Sequence, residues 1–220
     1  MSDRKSKRSN SQPDGAVPTA VVARLSLYLR ELQRLVRDGH ETTSSHQLGA
    51  VLGFTDAQVR KDLAYFGHFG YPGIGYRCDE LMANIRRILG TNRQWSVALV
   101  GVGNLGRALL GYKGFRQQGF HLAAAFDTDR AKIGTTIEGL EVLHLDRLPE
   151  VTRDHKIRLG LIAVPAAAAQ EVADRFVAAG VDGILNFAPT TIVLPTHVTH
   201  VGVDLAIELE QLSFALASRG

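Results

Sequence analysis

The stretch Val97-Ala-Leu-Val-Gly-Val-Gly-Asn-Leu-Gly-Arg107 limits what this chain can fold into more than any other. A short apolar run, Val97 to Val100, meets Gly101, Gly103 and Gly106, and a helical pattern starts at Asn104. G-x-G-x-x-G at a strand-to-helix turn is the fingerprint of a dinucleotide-binding βαβ unit. Each glycine has its own task. Gly101 permits the tight turn, Gly103 lets the backbone approach a pyrophosphate, and Gly106 lets helix and strand pack closely. Val102, Asn104 and Leu105 complete a turn whose amides face the anion at the helix start. The next apolar run, Leu122 to Phe126, ends in Asp127, where the fingerprint places an acid for a ribose 2′-hydroxyl. A carboxylate there repels a 2′-phosphate, so NAD(H) is expected over NADP(H); nearby Arg130 and Lys132 act against that preference.

The chain beyond Asp127 continues the alternation. Apolar runs lie at Leu140 to Leu143, at Leu159 to Val164 before Pro165, at Gly183 to Phe187 before Ala188-Pro189, and at Val198 to Val203. Ala166 to Ala179 is helix-patterned. Strands alternating with helices predict a Rossmann-like, doubly wound parallel sheet with its ligand crevice at the strand carboxyl ends. A last helix, Asp204 to Ala217, sets Leu205, Leu209, Leu212 and Leu216 on one face and Ile207 and Phe214 nearly opposite. A helix apolar on two sides asks for burial on two sides. It would dock between elements, of this chain or of a second protomer; the plainer alternative is a terminal helix on its own sheet.

The front of the chain is basic and helical. Residues 1–95 carry 14 Lys and Arg against 9 Asp and Glu, and residues 96–220 carry 11 against 13, which sum to the net charge of +3. That split suggests a polyanion-binding front and a cofactor-binding back. Val22, Leu25, Leu29, Leu32 and Val36 recur at helical steps between Pro18 and Asp38. Ser44 with Gln47, and Thr55 with Gln58, fit capping boxes that open two short helices joined at Gly53-Phe54. The order is helix-turn-helix. On the second of these helices Val59, Leu63 and Phe66 face inward, while Ala57, Gln58, Lys61 and Tyr65 face out with Arg60 on the flank. Gln pairs with adenine and Arg or Lys donates to guanine or phosphate, so this face suits major-groove reading. On these residues alone a solvated helix face is an equal alternative. Four glycines among residues 67–76 fit a hairpin wing. Ser44, Ser45 and wing amides at Gly73 and Gly75 would hold phosphates. A helix from Asp79 to Leu89 closes this domain.

Composition sets the outer bounds. The chain has 220 residues, 45% of them hydrophobic, enough for two modest cores. It has no run of about 18 apolar residues for a membrane span, and its polar, basic start does not fit a secretory signal. The single cysteine, Cys78, precludes an internal disulfide and fits a reducing, cytoplasmic location. No Cys/His cluster has metal-ligand spacing, so no metal is expected. His68, His144 and His155 read as structural, and no acid–base pair stands out, so no catalytic residue is assigned. An NAD-dependent dehydrogenase and a CoA-binding module remain the alternatives, and Asp127 speaks against CoA.

Ordered segments along nearly the whole chain, from about Val17 to Ala217, resemble the redox-sensing transcriptional repressor Rex family. They are Gln58-Val-Arg-Lys-Asp-Leu63 through Tyr65-Phe-Gly67, Gly73-Ile-Gly-Tyr76, the fingerprint with Arg107-Ala-Leu109 and Tyr112, and Phe126-Asp127 with Lys132-Ile-Gly134. Ala163-Val-Pro165, Gly183 to Pro189 and Val203-Asp-Leu205 follow. The polar, basic stretch over 1–16 reads as a disordered arm; the resemblance implies an α/β homodimer with a winged helix-turn-helix DNA-binding domain over 17–90, a Rossmann NAD(H)-binding domain over 91–203, and a C-terminal helix over 204–220 exchanged between protomers. It implies binding of pseudo-palindromic double-stranded operator DNA before respiratory and fermentative genes, release by NADH, and poor competition or support of DNA binding by NAD⁺. It adds Lys132, Val164 and Pro165 to the cofactor site, sets Asn186, Ala188, Pro189 and Leu205 near the nicotinamide, and makes Arg30, Tyr112 and Asp204 switch residues. The wing tip departs from the family: Tyr71-Pro72 stands where a basic residue is common.

Overall fold

The computed structural model describes residues 17–218. The arm expected over residues 1–16 lies outside them. The chain divides between Asn92 and Arg93 into two compact units.

The N-terminal unit contains α1 (Thr19–Arg37), β1 (Thr42–Thr43), α2 (Ser45–Leu52), α3 (Asp56–Ala64), β2 (Tyr76–Arg77) and α4 (Cys78–Ile88). Its core joins Leu25, Tyr28 and Leu32 of α1 to Leu48, Val59, Leu63, Leu81 and Ile85. The buried stripe of α1 differs from the expected one. Leu25, Leu29 and Leu32 are buried, but Val22 and Val36 are exposed, and Val21 and Tyr28 take their places. Cys78 packs in the same core, where burial pushes its thiol above the ordinary value. Of the two capping boxes only the first is complete. Ser44 accepts from the Gln47 amide and the Gln47 side chain accepts from the Ser44 amide. At Thr55 the hydroxyl accepts from the Gln58 amide, but the Gln58 side chain turns the other way, donating to Asp62.

The expected wing hairpin also takes another form. The glycine-rich segment closes a tight turn at the bridge between Tyr71 and Gly75, and the strand that follows, β2, pairs antiparallel with β1. Glycine makes that pairing possible. Gly75 has φ +90°, and a Cβ there would run into the Thr43 carbonyl of β1.

The C-terminal unit runs β3 (Trp95–Val100), α5 (Asn104–Leu110), α6 (Lys113–Gln117), β4 (Phe120–Asp127), β5 (Thr136–Ile137), β6 (Leu140–His144), α7 (Leu148–Asp154), β7 (Leu159–Ile162), α8 (Ala166–Ala178), β8 (Gly183–Asn186), β9 (Thr199–Gly202) and α9 (Leu205–Ala217). These strands form one sheet in the order β5-β6-β4-β3-β7-β8-β9. Every pairing is parallel except that of β5 with β6. The doubly wound parallel sheet read from the sequence is therefore present. The pleat sends alternate residues of β3 to opposite faces: Ala98 and Val100 join the core with Phe126, Ile162 and Phe176, and Val97 and Leu99 join that with Leu110 and Leu161. The strand order reverses direction at β3, whose neighbours are β4 and β7, so a crevice opens at its carboxyl end.

The last helix is not buried on two sides within this chain. Asp204 caps it, its carboxylate accepting from the Ala206 amide, and no described residue of α9 is buried. Leu205, Leu209, Leu212, Phe214 and Leu216 are each at least 60% exposed.

Gly75→Ala should strain the wing–β1 pairing by about 1–3 kcal/mol, the cost of a forced left-handed residue. Hydrogen exchange should show faster exchange of the β1 and β2 amides, with α4 less affected.

Candidate functional site

The fingerprint turn sits at the carboxyl end of β3, and its glycines are required by contact. Gly101 has φ +98°, and a Cβ on it would meet the Ala163 carbonyl and Val164. A Cβ on Gly106 would meet the Gly101 carbonyl. Gly103 differs: no atom stands within 4 Å of where its Cβ would be. Two glycines thus close the turn on itself and on the segment just after β7, and the third leaves open space for a ligand. The first-turn amides of α5 lie beyond the helix's own ladder.

Asp127 is tied to this turn. One carboxylate oxygen accepts from the Val102 amide at 2.8 Å and from Lys132 Nζ at 3.0 Å, and the other accepts from the Asp129 amide at 2.9 Å. A carboxylate offers about four acceptor positions, so one remains for a hydroxyl donor. Burial alone would raise this carboxyl, but the amides of Asp129 and Val102 and the Lys132 ammonium outweigh it and hold it below the ordinary value. An ionised acceptor beside an open glycine is what an unphosphorylated ribose needs, so these residues fit a dinucleotide with a free 2′-hydroxyl.

Val164 and Pro165 adjoin the same turn across Gly101 and at the start of α8. Asn186 ends β8 and is buried. Its amide donates to the Ala188 and Thr190 carbonyls and accepts from the Ala188 amide. It braces the loop that carries Ala188 and Pro189 with the polar atoms expected to face a ligand. Leu205 opens α9, exposed. Of the switch residues, Asp204 caps α9, and Tyr112 caps α6 with its ring edge-on to Phe115 at 5.1 Å. Arg30 is an exposed residue of α1 in the other unit.

In the N-terminal unit Lys61 and Tyr65 are exposed on and just after α3. Arg60 bridges the two helices, donating to Asp56 at 2.7 Å and to the Ser45 hydroxyl at 3.2 Å. Ser44 is engaged in its capping box. Gly73, at φ +76°, and Gly75 shape the wing turn.

Asp62 was missed by the sequence reading. Its side chain is 2% exposed, between α1 and α3. Arg24 donates to both its oxygens, at 2.6 and 2.8 Å, the Tyr28 hydroxyl donates at 2.8 Å, and the Gln58 amide at 2.7 Å. Burial would raise this carboxyl, yet the bonds from Arg24, Tyr28 and Gln58 hold it below its ordinary value. A signal was available: Asp62 stands three residues from Val59 and four from Phe66, in the inward phase of the helix.

Comparison with known proteins settles the family. Residues 92–190 match a family model described as "CoA binding domain", and residues 16–64 match one described as "Putative DNA-binding protein N-terminus". A redox-sensing transcriptional repressor Rex from Carboxydothermus hydrogenoformans is 51% identical over 90% of this chain and 95% of its own. One from Desulfitobacterium hafniense is 50% identical over 92% of this chain and 97% of its own. The chain belongs to the Rex family. The Rex-family repressor RSP, solved with β-NAD⁺ and operator DNA, superposes with a TM-score of 0.88 at 34% identity, covering 94% of this chain and 95% of that one. RSP with β-NADH gives 0.83 at 33% identity, covering 94% and 97%. Rex-family proteins are regulators, so the dehydrogenase alternative loses its ground. Among the described residues no group of three or more His, Cys, Asp or Glu could hold a metal ion, and no helix is long and apolar enough to cross a membrane.

Gly106→Ala should destabilise the C-terminal unit by about 1–3 kcal/mol through overpacking. Gly103→Ala should change stability by less than about 0.5 kcal/mol yet weaken dinucleotide binding; denaturant unfolding and a nucleotide titration separate the two. A carboxyl held low stabilises the fold above its ordinary value near 3.8 and loses that contribution as pH falls through the lower folded value. The chain should therefore lose stability below about pH 4, and Asp62→Asn should be less stable at neutral pH with a shallower acid loss, as followed by circular dichroism.

Proposed function

We propose that this chain is an NADH-responsive transcriptional repressor that binds double-stranded operator DNA through its N-terminal unit and NAD(H) through its C-terminal unit. The observation that carries the reading is the bond from the Val102 amide to the Asp127 carboxylate, which joins the phosphate-binding turn to the ribose-binding acid. The complexes of RSP with β-NAD⁺ and operator DNA and with β-NADH support it. The family model named for CoA matches the same unit, but a 3′-phosphate on the CoA ribose would meet the ionised Asp127.

The roles of the chain's residues follow from their places. Gly103, Asn104, Leu105 and Gly106 offer their backbone to the pyrophosphate on a turn shaped by Gly101 and Val102, whose own amides donate to the Phe126 carbonyl and to Asp127. Asp127, steadied by Lys132, accepts from the ribose and rejects a 2′-phosphate. Val164, Pro165, Ala188, Pro189 and Leu205 form an apolar surround for the nicotinamide, braced by Asn186. Such a surround disfavours a cationic ring through desolvation and accepts a neutral one. On the DNA side Gln58, Arg60, Lys61 and Tyr65 face the major groove, and Ser44, Ser45, Gly73 and Gly75 hold phosphates. Nucleotide and DNA meet in the cytoplasm.

The working form is a homodimer. The apolar faces of α9 need cover, and an apolar hollow of about 310 Å³ lies along β7, β8 and β9, lined by Leu159, Leu161, Leu185 and Val201. A second copy supplies helix and hollow to each other. Arg30, Tyr112 and Asp204 change contacts as the dimer moves between its DNA-binding and released forms. The nucleotide shifts that equilibrium only by its differential affinity for the two forms.

The test is fluorescence anisotropy of a labelled duplex, at fixed salt because phosphate contacts make affinity steeply salt-dependent. NADH should release the protein at concentrations where NAD⁺ and NADPH do not. Binding indifferent to all three would refute NADH sensing, and equal effects of NADH and NADPH would refute the role of Asp127. Tyr112→Phe and Asp204→Ala should retain DNA binding and weaken its response to NADH; parental responses from both would remove them from the switch.

A further inference from the structure

The DNA-reading role proposed for α3 leaves open how Gln58 chooses a base. We propose that buried Asp62 is a positioning residue that fixes the side-chain amide of Gln58 in one orientation, so that α3 reads adenine at one position and rejects guanine there. The inference rests on the DNA-binding reading and goes beyond it.

The geometry is over-determined. A carboxylate has about four acceptor positions and no donor. Asp62 fills them with Arg24 Nε and Nη2, the Tyr28 hydroxyl and Gln58 Nε2, all between 2.6 and 2.8 Å. Three of the four donors come from α1, so the carboxylate stays in place whatever Gln58 does. Because Asp62 can only accept, the atom that Gln58 turns toward it must be the amide nitrogen. A flipped amide would set two oxygens against each other in a buried place.

Base choice follows from what is left over. Gln58 retains one N–H and its carbonyl oxygen. Adenine presents N7 as an acceptor beside the N6 donor, which matches one N–H and one oxygen. Guanine presents two acceptors, N7 and O6. An untethered glutamine can turn its NH₂ group to serve guanine. Gln58, with one N–H held by Asp62, has only one N–H and its oxygen to offer, which leaves one guanine acceptor facing an oxygen. Preorganisation also lowers the entropy lost when the side chain is fixed on DNA.

The probe is a duplex selected by the full chain from a random-sequence pool, with each A·T pair of the half-site changed in turn to G·C. The parent should lose roughly 5- to 150-fold in affinity at the pair read by Gln58. Gln58→Ala should lose discrimination at that pair. Replacing the buried polar set by apolar residues of similar size, Arg24→Met with Tyr28→Phe and Asp62→Leu, is a change that buried ion pairs often tolerate. This variant should keep cooperative unfolding, the salt dependence of binding and discrimination at the other pairs, while discrimination at the Gln58 pair falls below about threefold. Unchanged discrimination at that pair in the triple variant, or at every pair in Gln58→Ala, overturns the inference. A second measurement needs no variant. Nuclear magnetic resonance of the DNA-free parent should show the Gln58 side-chain amide as one ordered pair of proton signals, and free rotamer averaging would overturn the inference. Failure of the parent to select any duplex would instead refute the DNA-binding reading.

Discussion

Backbone meets backbone at Gly101, and the C-terminal unit is arranged around that approach. The turn leaves β3 with φ +98°, touches the Ala163 carbonyl of the neighbouring crossover, and is itself touched by Gly106 one helical turn later. No side chain fits at either glycine. The open side of the turn lies at Gly103, where no atom stands within 4 Å of a Cβ's place and the first amides of α5 lie beyond the helix's own ladder. Asp127 completes it by accepting from Val102, so the acid that would select the ribose also holds the loop that would bind the phosphates. The bonds that hold the loop, from the Asp129 and Val102 amides, together with the Lys132 ammonium, also keep this carboxyl below its ordinary value.

The N-terminal unit solves a different problem with the same chemistry. A recognition helix must present its outer face at a fixed angle, and apolar packing of Val59 and Leu63 alone permits sliding and rotation. A buried carboxylate bonded by four donors does not. Breaking this buried set costs stability, but the desolvation cost of burying it means the whole set adds little over apolar residues of similar size, so stability alone does not explain Asp62. Its geometry is better explained as fixing orientation: Arg24 and Tyr28 lie one helical turn apart on α1, and Gln58 and Asp62 one turn apart on α3. Arg60 adds a second tie, from α3 to the start of α2.

The parts legible in sequence were those set by local rules. The glycine spacing, the apolar strand runs, the Ser44 cap and the core phase of α3 each depend on residues within about one turn or strand of one another. The parts that were not legible depend on distant partners. The wing looked like a self-paired hairpin because glycines carry no side-chain pattern to specify register, and the partner of β2 is Thr42–Thr43, far back in the chain. Asp62 stood in the inward phase of its helix, where a reading based on apolar residues passes over a charge. The resemblance sets Asn186 near the nicotinamide; that its polar atoms bond to the backbone of its own loop depends on the folded chain and was not legible in the sequence.

The last helix lies between the proposed cofactor site and the proposed subunit contact. A 13-residue helix is marginal in water by itself, and α9 exposes large apolar side chains around most of its surface. Its order therefore depends on cover, which the proposed dimer supplies. Leu205, placed beside the nicotinamide in the proposed site, is the first residue of that same helix, directly after its cap Asp204. In the proposed dimer, a change in how the first turn of α9 is packed would change the subunit contact, and the reverse would hold because coupling between sites is reciprocal. A redox state that differs by one charge on a ring is a small signal. In the proposed site it would stand against the first turn of α9, whose exposed apolar side chains form the proposed subunit contact.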